Sequence, residues 1–263
     1  MSGADDEAIN RVERYLLREN HDRQWAVDGS PLVLQVTASA ASWRTTLDPG
    51  SLPPVMRDGT LLALEQIAAG GDVVTRDMLA RLSSTMSDDR SMVACWVATM
   101  CWGAGPRNRP RLRQWSRSLS GASTAAVLRS SADELLHGKP EDAYRRMTSL
   151  PGVGEAYHTK WLWAVGLGAD STLQPTPLIR DSRVDKTLRD LQWWPEARGA
   201  AARWVRLCDA LGEWADELGR RHPTWTVEAE HIEQLLFDRD HADAPGPCLR
   251  TWLRTQSDHP RVI

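Results

Sequence analysis

The segment that most restricts the fold is Ser91–Trp102 (SMVACWVATMCW), which is apolar on nearly every side of a helix. A helix with this pattern is buried all round, so other elements must pack against several of its faces. The following Gly103-Ala104-Gly105-Pro106 predicts its end. The run is shorter than the roughly 20 apolar residues that cross a bilayer. We therefore expect a globular core around this central helix.

Helical periodicity recurs along the rest of the chain, whereas alternating strand patterns are scarce. Asp5–Arg18 places Ile9, Val12, Leu16 and Leu17 on one helical face. A capping-box pattern at Ser131–Glu134 predicts a helix that ends at Gly138, and Pro140 predicts the start of the next. Further helices are predicted at 60–69, 75–82, 155–165, 182–191, 196–219, 227–237 and 247–255.

A strand-like pattern occurs at Pro31–Thr37, which also fits an isolated extended segment. The sequence therefore predicts a compact all-α protein with one or two helical lobes, in which the termini meet. We divide it into an N-terminal helical region, 1–90, which matches no recognisable pattern, and a second region, 91–263.

The composition is that of a soluble globular protein, with 41% hydrophobic and 25% charged residues. The acidic N-terminus lacks an apolar core, so we expect no signal peptide and a cytoplasmic location. Four cysteines are too few and too scattered for a disulfide scaffold, and we expect Cys95 and Cys101 to be buried thiols. Cysteine and histidine are too dispersed for a zinc site.

The net charge of −3 is unevenly distributed. Residues 106–190 carry 14 lysines and arginines against nine acidic residues, so this part of the chain is the one suited to a polyanion. Within it, the segment 106–117 contains five arginines and no acid, and it includes Arg107, Arg109 and Arg111. These arginines fit either a solvated loop and helix face or a set of phosphate contacts.

The most informative motif is Leu150-Pro151-Gly152-Val153-Gly154, which lies between two predicted helices. Proline stops the first helix, and the glycines permit positive φ and leave the backbone accessible. The amides that open the second helix then face any anion at the turn. The motif fits either a plain turn between helices or a hairpin that holds nucleic-acid backbone without reading sequence.

The residues that follow the hairpin resemble the helix-hairpin-helix superfamily of DNA glycosylases. The hairpin and its helix span 147–166, and the segment 178–190 takes the place of the superfamily's catalytic aspartate segment. Thr159-Lys160 and Leu178-Ile179-Arg180-Asp181-Ser182-Arg183-Val184 are similar to a bacterial branch of 8-oxoguanine glycosylase OGG-fold proteins. The resemblance covers about 92–237 and is strongest over 147–189.

The resemblance implies that Asp181 is the catalytic aspartate, which also fits an ordinary helix N-cap. Members that cleave the strand carry a lysine two residues after the second hairpin glycine, where this chain has Ala156. Lys160 is one helical turn further on and projects from nearly the same face, so we expect it to be the nucleophile. It also fits a solvated lysine on an amphipathic helix.

We therefore expect a DNA glycosylase for an oxidised or modified purine in double-stranded DNA, with 8-oxoguanine first and AP-lyase activity through Lys160. The alternatives are a catalytically silent DNA-binding module that acts with a partner, and a monofunctional glycosylase that acts on modified bases of invading DNA. No cofactor is expected, because the four-cysteine cluster of some members is missing after Asp181. The resemblance leaves room for a monovalent cation at the hairpin.

Overall fold

The structure, a computed structural model, describes residues 3–18, 35–105, 116–121, 123–169, 173–238 and 247–257. Helices dominate these residues, and the predicted all-α class is confirmed. The helices are α1 (Gly3–Arg18), α2 (Ala40–Leu47), α3 (Pro54–Ala69), α4 (Arg76–Ser84), α5 (Asp89–Ala104), α6 (Thr124–Leu136), α7 (Pro140–Met147), α8 (Glu155–Gly168), α9 (Ser182–Asp190), α10 (Ala200–Arg221), α11 (Ala229–Phe237) and α12 (Leu249–Ser257).

A small antiparallel sheet joins β1 (Gln35–Thr37) to β2 (Val73–Thr75), with Val36 opposite Val74. The strand predicted at Pro31–Thr37 is thus confirmed at its C-terminal end, and its residues 31–34 lie outside the described part of the chain. No helix among the described residues has the length and apolar character that a membrane span requires.

The chain groups into two compact units. The middle unit is Val33–Pro177, and the terminal unit combines Met1–Leu32 with Leu178–Ile263. The boundary expected near residue 90 falls inside the middle unit. The N-terminal helix belongs with the C-terminal helices rather than with the segment that follows it.

The middle unit is built around α5, as its sequence predicts. Residues 92–101 are all buried, and α3, α4, α6 and α8 pack against the helix. Asp88 caps it, because its carboxylate accepts a hydrogen bond from the Ser91 amide at 2.7 Å. Trp96 meets Trp161 of α8 edge to face, with ring centroids 5.8 Å apart. These contacts fix α8, the helix that follows the hairpin, against the buried core.

The terminal unit packs α1 against α10 and α12. Ile9, Val12 and Leu16 are buried as predicted, but Leu17 is 53% exposed. The prediction for Leu17 is wrong because it lies 100° around the helix from Leu16, at the edge of the apolar face. Asp5 joins the elements of this unit, since its carboxylate accepts hydrogen bonds from Trp193 Nε1 at 2.8 Å and from Arg206 at 3.0 Å.

The capping box predicted at Ser131–Glu134 is wrong. These residues lie inside α6, which begins at Thr124. Ser131 is fully buried, and its hydroxyl donates to the carbonyl oxygen of Ala143 in α7 at 3.0 Å. The short polar side chain therefore joins two packed helices instead of starting one.

Candidate functional site

The predicted hairpin is present between α7 and α8. The amides of Thr148, Ser149 and Leu150 donate to carbonyl oxygens of the last turn of α7, at 3.1 to 3.2 Å. The chain reverses at Gly152, whose φ of +75° is in the left-handed region that favours glycine. The requirement for glycine at this position is therefore conformational.

Gly154 differs from Gly152, because its φ of −97° and ψ of 170° are accessible to any residue. It is the N-cap of α8 and has no side chain to accept a hydrogen bond from the first-turn amides. A Cβ added at Gly154 would meet nothing within 4 Å. The Tyr157 amide donates to the Gly154 carbonyl oxygen at 2.8 Å, which leaves the amides of Glu155 and Ala156 for an external acceptor, although Glu155 adds one negative charge beside them.

His158 fixes the hairpin to α8. Its Nε2 donates to the carbonyl oxygen of Val153, within the hairpin, at 3.1 Å, and its ring packs edge to face on Tyr144 of α7. Burial lowers the pKa of His158 to about 4, against an opposing effect of the Val153 carbonyl. The imidazole is therefore neutral near pH 7, and a structural function accounts for its contacts.

Lys160 is buried and only 7% exposed, so the alternative of a solvated lysine is wrong. Its ammonium nitrogen lies 5.8 Å from the ring centroid of Tyr157. The aliphatic part runs past Gly103 of α5, where an added Cβ would come 2.7 Å from Lys160 Cδ. The absence of a side chain at Gly103 therefore makes room for Lys160.

Asp181 is the N-cap of α9, in the terminal unit. Its Oδ1 accepts hydrogen bonds from the amides of Arg183 at 2.8 Å and Val184 at 3.3 Å. The N-cap interpretation is thus confirmed, and the catalytic assignment stays a prediction. Lys160 belongs to the middle unit and Asp181 to the terminal unit. The pairing of the two residues therefore also stays a prediction.

Arg180, which directly precedes Asp181, has side-chain contacts that the sequence does not predict. Arg180 is buried and donates through Nε to Asp185 Oδ1 at 2.8 Å, which forms an ion pair. The guanidinium carbon of Arg180 lies 5.2 Å from the ring centroid of Trp194. The guanidinium carbon of Arg189 lies 5.9 Å from the same ring.

Only some of the other residues singled out from the sequence lie in the described part of the chain. Arg107, Arg109 and Arg111 lie outside the described residues, and Arg117 of the same segment is exposed. All four cysteines are buried free thiols, and burial raises the pKa of Cys95 to about 12. The described residues contain no group of three or more His, Cys, Asp or Glu side chains placed to hold a metal ion.

A comparison with known families places this chain in one of them. A family described as "OGG: Putative 8-oxoguanine DNA glycosylase OGG-like protein" matches residues 31–237 of this chain. The match covers the whole middle unit, together with α9, α10 and α11 of the terminal unit. No curated protein and no solved structure matches the chain.

Proposed function

Because the chain belongs to the OGG-like family of 8-oxoguanine DNA glycosylases, we propose that it removes an oxidised or otherwise modified purine from double-stranded DNA. We propose 8-oxoguanine as the first substrate to test. The family assigns the reaction class, base release from DNA, and the finer assignments below rest on individual residues.

The observation that supports this proposal best is the buried Lys160 on the helix that follows the hairpin. The chain has three lysines, and the other two, Lys139 and Lys186, are exposed. A nucleophilic amine has to be held in one position, and the packed stem of Lys160 restricts its rotamers. Arginine, which supplies the other 29 basic residues, is protonated at all relevant pH values and does not perform this reaction.

In the proposed reaction the target nucleotide leaves the base stack before its N-glycosidic bond breaks. The bonding electron pair departs with the purine, which takes up a proton, and positive charge develops on the sugar. The carboxylate of Asp181 stabilises that charge. The deprotonated Lys160 Nζ forms the new bond to C1′, and the C1′–O4′ bond then breaks as O4′ takes up the proton that the nitrogen loses. The resulting imine loses a C2′ proton as the 3′ phosphate leaves.

The hairpin would hold the substrate by its backbone. The open first turn of α8 offers amide hydrogens and the positive end of the helix dipole to a phosphate. Leu150, Pro151 and Val153 shape the turn, and neither they nor the glycines carry groups that read base edges. Arg107, Arg109 and Arg111 are proposed as further phosphate contacts.

The test is to incubate the protein with duplexes that contain single modified purines and to measure the released base. Borohydride should trap a covalent protein–DNA adduct, because it reduces the imine. Lys160→Gln should abolish trapping and strand scission, whereas Lys139→Gln and Lys186→Gln should retain both. Asp181→Asn keeps the cap oxygen and removes the charge, so base release should fall by at least 100-fold, on the order of other losses of one electrostatic stabiliser.

A second variant displaces the Lys160 side chain without substituting the lysine itself. Gly103→Ala pushes on Lys160 Cδ, and a displaced amine should reduce trapping about 10- to 100-fold. Gly212→Ala is the matched control, because this glycine is also inside a helix, α10, and its added Cβ meets nothing within 4 Å. Full trapping in both Lys160→Gln and Gly103→Ala would reject Lys160 as the nucleophile.

Ala156 supports a second candidate, a monofunctional glycosylase. Ala156 occupies the position where strand-cleaving members carry their lysine, and its methyl group cannot attack C1′. Base release without any trapped adduct would favour this candidate, with Asp181 orienting a water molecule. Tight duplex binding with no base released from any duplex would instead identify a silent DNA-binding module.

A further inference from the structure

The segment that follows α9 presents one tryptophan to solvent. Among the described tryptophans, Trp194 is the exposed one, at 40%. The side chains on either side of it, Trp193 and Pro195, are both buried. The segment therefore points a single large aromatic ring outward from an anchored backbone.

The anchor is well defined. Gln192, with φ of +60°, reverses the chain after α9, and the amide of Trp193 donates to the Leu188 carbonyl oxygen at 3.0 Å. Trp193 then donates through Nε1 to the buried Asp5 and packs edge to face on Trp214, with ring centroids 5.2 Å apart. Because its neighbour is fixed on two sides, Trp194 is held in place before any ligand arrives, which lowers the entropy cost of binding.

Two guanidinium groups lie over the Trp194 ring, those of Arg180 at 5.2 Å and Arg189 at 5.9 Å from its centroid. Arg180 is neutralised by Asp185, whereas Arg189 is exposed and forms no salt bridge with any described residue. An exposed aromatic ring that already contacts a cation suits a nucleotide, since the base stacks on the part of the ring that faces solvent and the phosphate meets the cation. Arg180 also links this ring to the candidate catalytic segment, because it directly precedes Asp181.

We propose that Trp194, with Arg189 beside it, is a stacking platform for a nucleobase that has lost its pairing partner. The inference rests on the proposed function, because extrusion of a target nucleotide leaves unpaired bases in the duplex. A fully paired duplex offers no such base face, so the platform discriminates opened from closed DNA. Arg189 supplies the phosphate contact of the same nucleotide.

The test measures binding alone and needs no catalysis. One probe is a duplex in which a stable abasic-site analogue leaves the opposite base unpaired, and the other is the same duplex fully paired. Trp194→Ala should weaken binding to the first probe about tenfold and to the second less than twofold. Trp194→Phe should retain most of the affinity, and Arg189→Gln should weaken binding to both probes and flatten its dependence on salt.

Trp225→Ala is the matched control, because Trp225 is a half-buried tryptophan of the same unit that stacks on His222, with ring centroids 3.9 Å apart. It should leave both affinities unchanged. Equal affinity of the parent and Trp194→Ala for the abasic probe would overturn the inference. Trp194 would then serve only to pack against the Arg180 guanidinium. An equal loss on both probes would also overturn the inference. A parent that releases no base but shows the selective loss would contradict the proposed function alone.

Discussion

His158 shows how one buried side chain can control the hairpin through its protonation state. Its folded pKa of about 4 is below the ordinary value of 6.5, so the unfolded chain binds a proton more readily. The stability that the neutral ring provides is complete above pH 6.5 and is lost as the pH falls towards 4. Protonation would also place a donor at Nδ1, which is buried and has no hydrogen-bond partner among the described residues.

We predict that the free energy of unfolding falls by about 2 to 3 kcal/mol more in the parent than in His158→Gln between pH 7 and pH 4.5. Glutamine keeps an N–H donor for the Val153 carbonyl and does not titrate, so the difference isolates the ring. Urea unfolding at the two pH values measures it. Parallel pH dependences in the two proteins would show that His158 is not the titrating group.

At this scale the sequence predicts the residues whose partners are local. Asp181, which fits an N-cap from the local pattern alone, lies within three residues of the amides from which it accepts hydrogen bonds. Burial of Lys160 is indicated by its neighbours Trp161, Leu162 and Trp163, although the room made by Gly103 depends on a different helix. The exposure of Trp194 has no sequence signal, because a Trp-Trp pair does not state which ring faces the core.

The hairpin is an element whose two glycines have different functions. Alanine at Gly152 would have to adopt φ of +75°, which costs roughly 1 to 2 kcal/mol. Alanine at Gly154 keeps an ordinary extended backbone and points its Cβ into open space. A loss of DNA affinity in Gly154→Ala would therefore come from contact with the ligand and not from the fold.

We predict that Gly154→Ala leaves the free energy of unfolding in urea within about 0.5 kcal/mol of the parent and weakens binding to unrelated duplexes alike, about tenfold. Fluorescence anisotropy with several duplexes measures the affinity. Gly219→Ala, a helical glycine of α10 with open space around it, should bind as the parent does. Undiminished binding by Gly154→Ala would make the hairpin a plain turn between helices.

Apolar periodicity predicts where most helices lie to within a few residues. It does not predict a helix start that depends on tertiary contacts. The helix predicted to begin at residue 60 begins at Pro54, where Pro53 and Pro54 precede the apolar pattern. Ser131 reads locally as a helix cap, but the carbonyl of Ala143, on the next helix, takes its hydroxyl. The local pattern shows only that serine favours a helix start, and packing between helices decides which group its hydroxyl binds.

At the scale of the whole molecule, both ends of the chain build one unit. Asp5 and Trp193 are 188 positions apart, and Asp5 and Arg206 are 201 apart. No periodicity or composition connects residues at this separation, so the sequence alone predicts a separate region for α1. The family match begins at residue 31 and therefore omits α1, although the terminal unit places the buried carboxylate of Asp5 in its interior.

We predict that Asp5→Ala destabilises the protein by about 3 kcal/mol, because it leaves a partly buried guanidinium and a buried indole N–H without their common acceptor. Asp6→Ala is the matched control, since Asp6 is also in the first turn of α1 and loses the same helix-dipole attraction but is exposed. It should cost less than about 1 kcal/mol. Urea unfolding gives the two free energies, and hydrogen exchange should accelerate in α1 and α10 only for Asp5→Ala. Equal destabilisation by the two variants would mean that the charge at the helix start, and not the buried contact with Arg206 and Trp193, holds α1 in place.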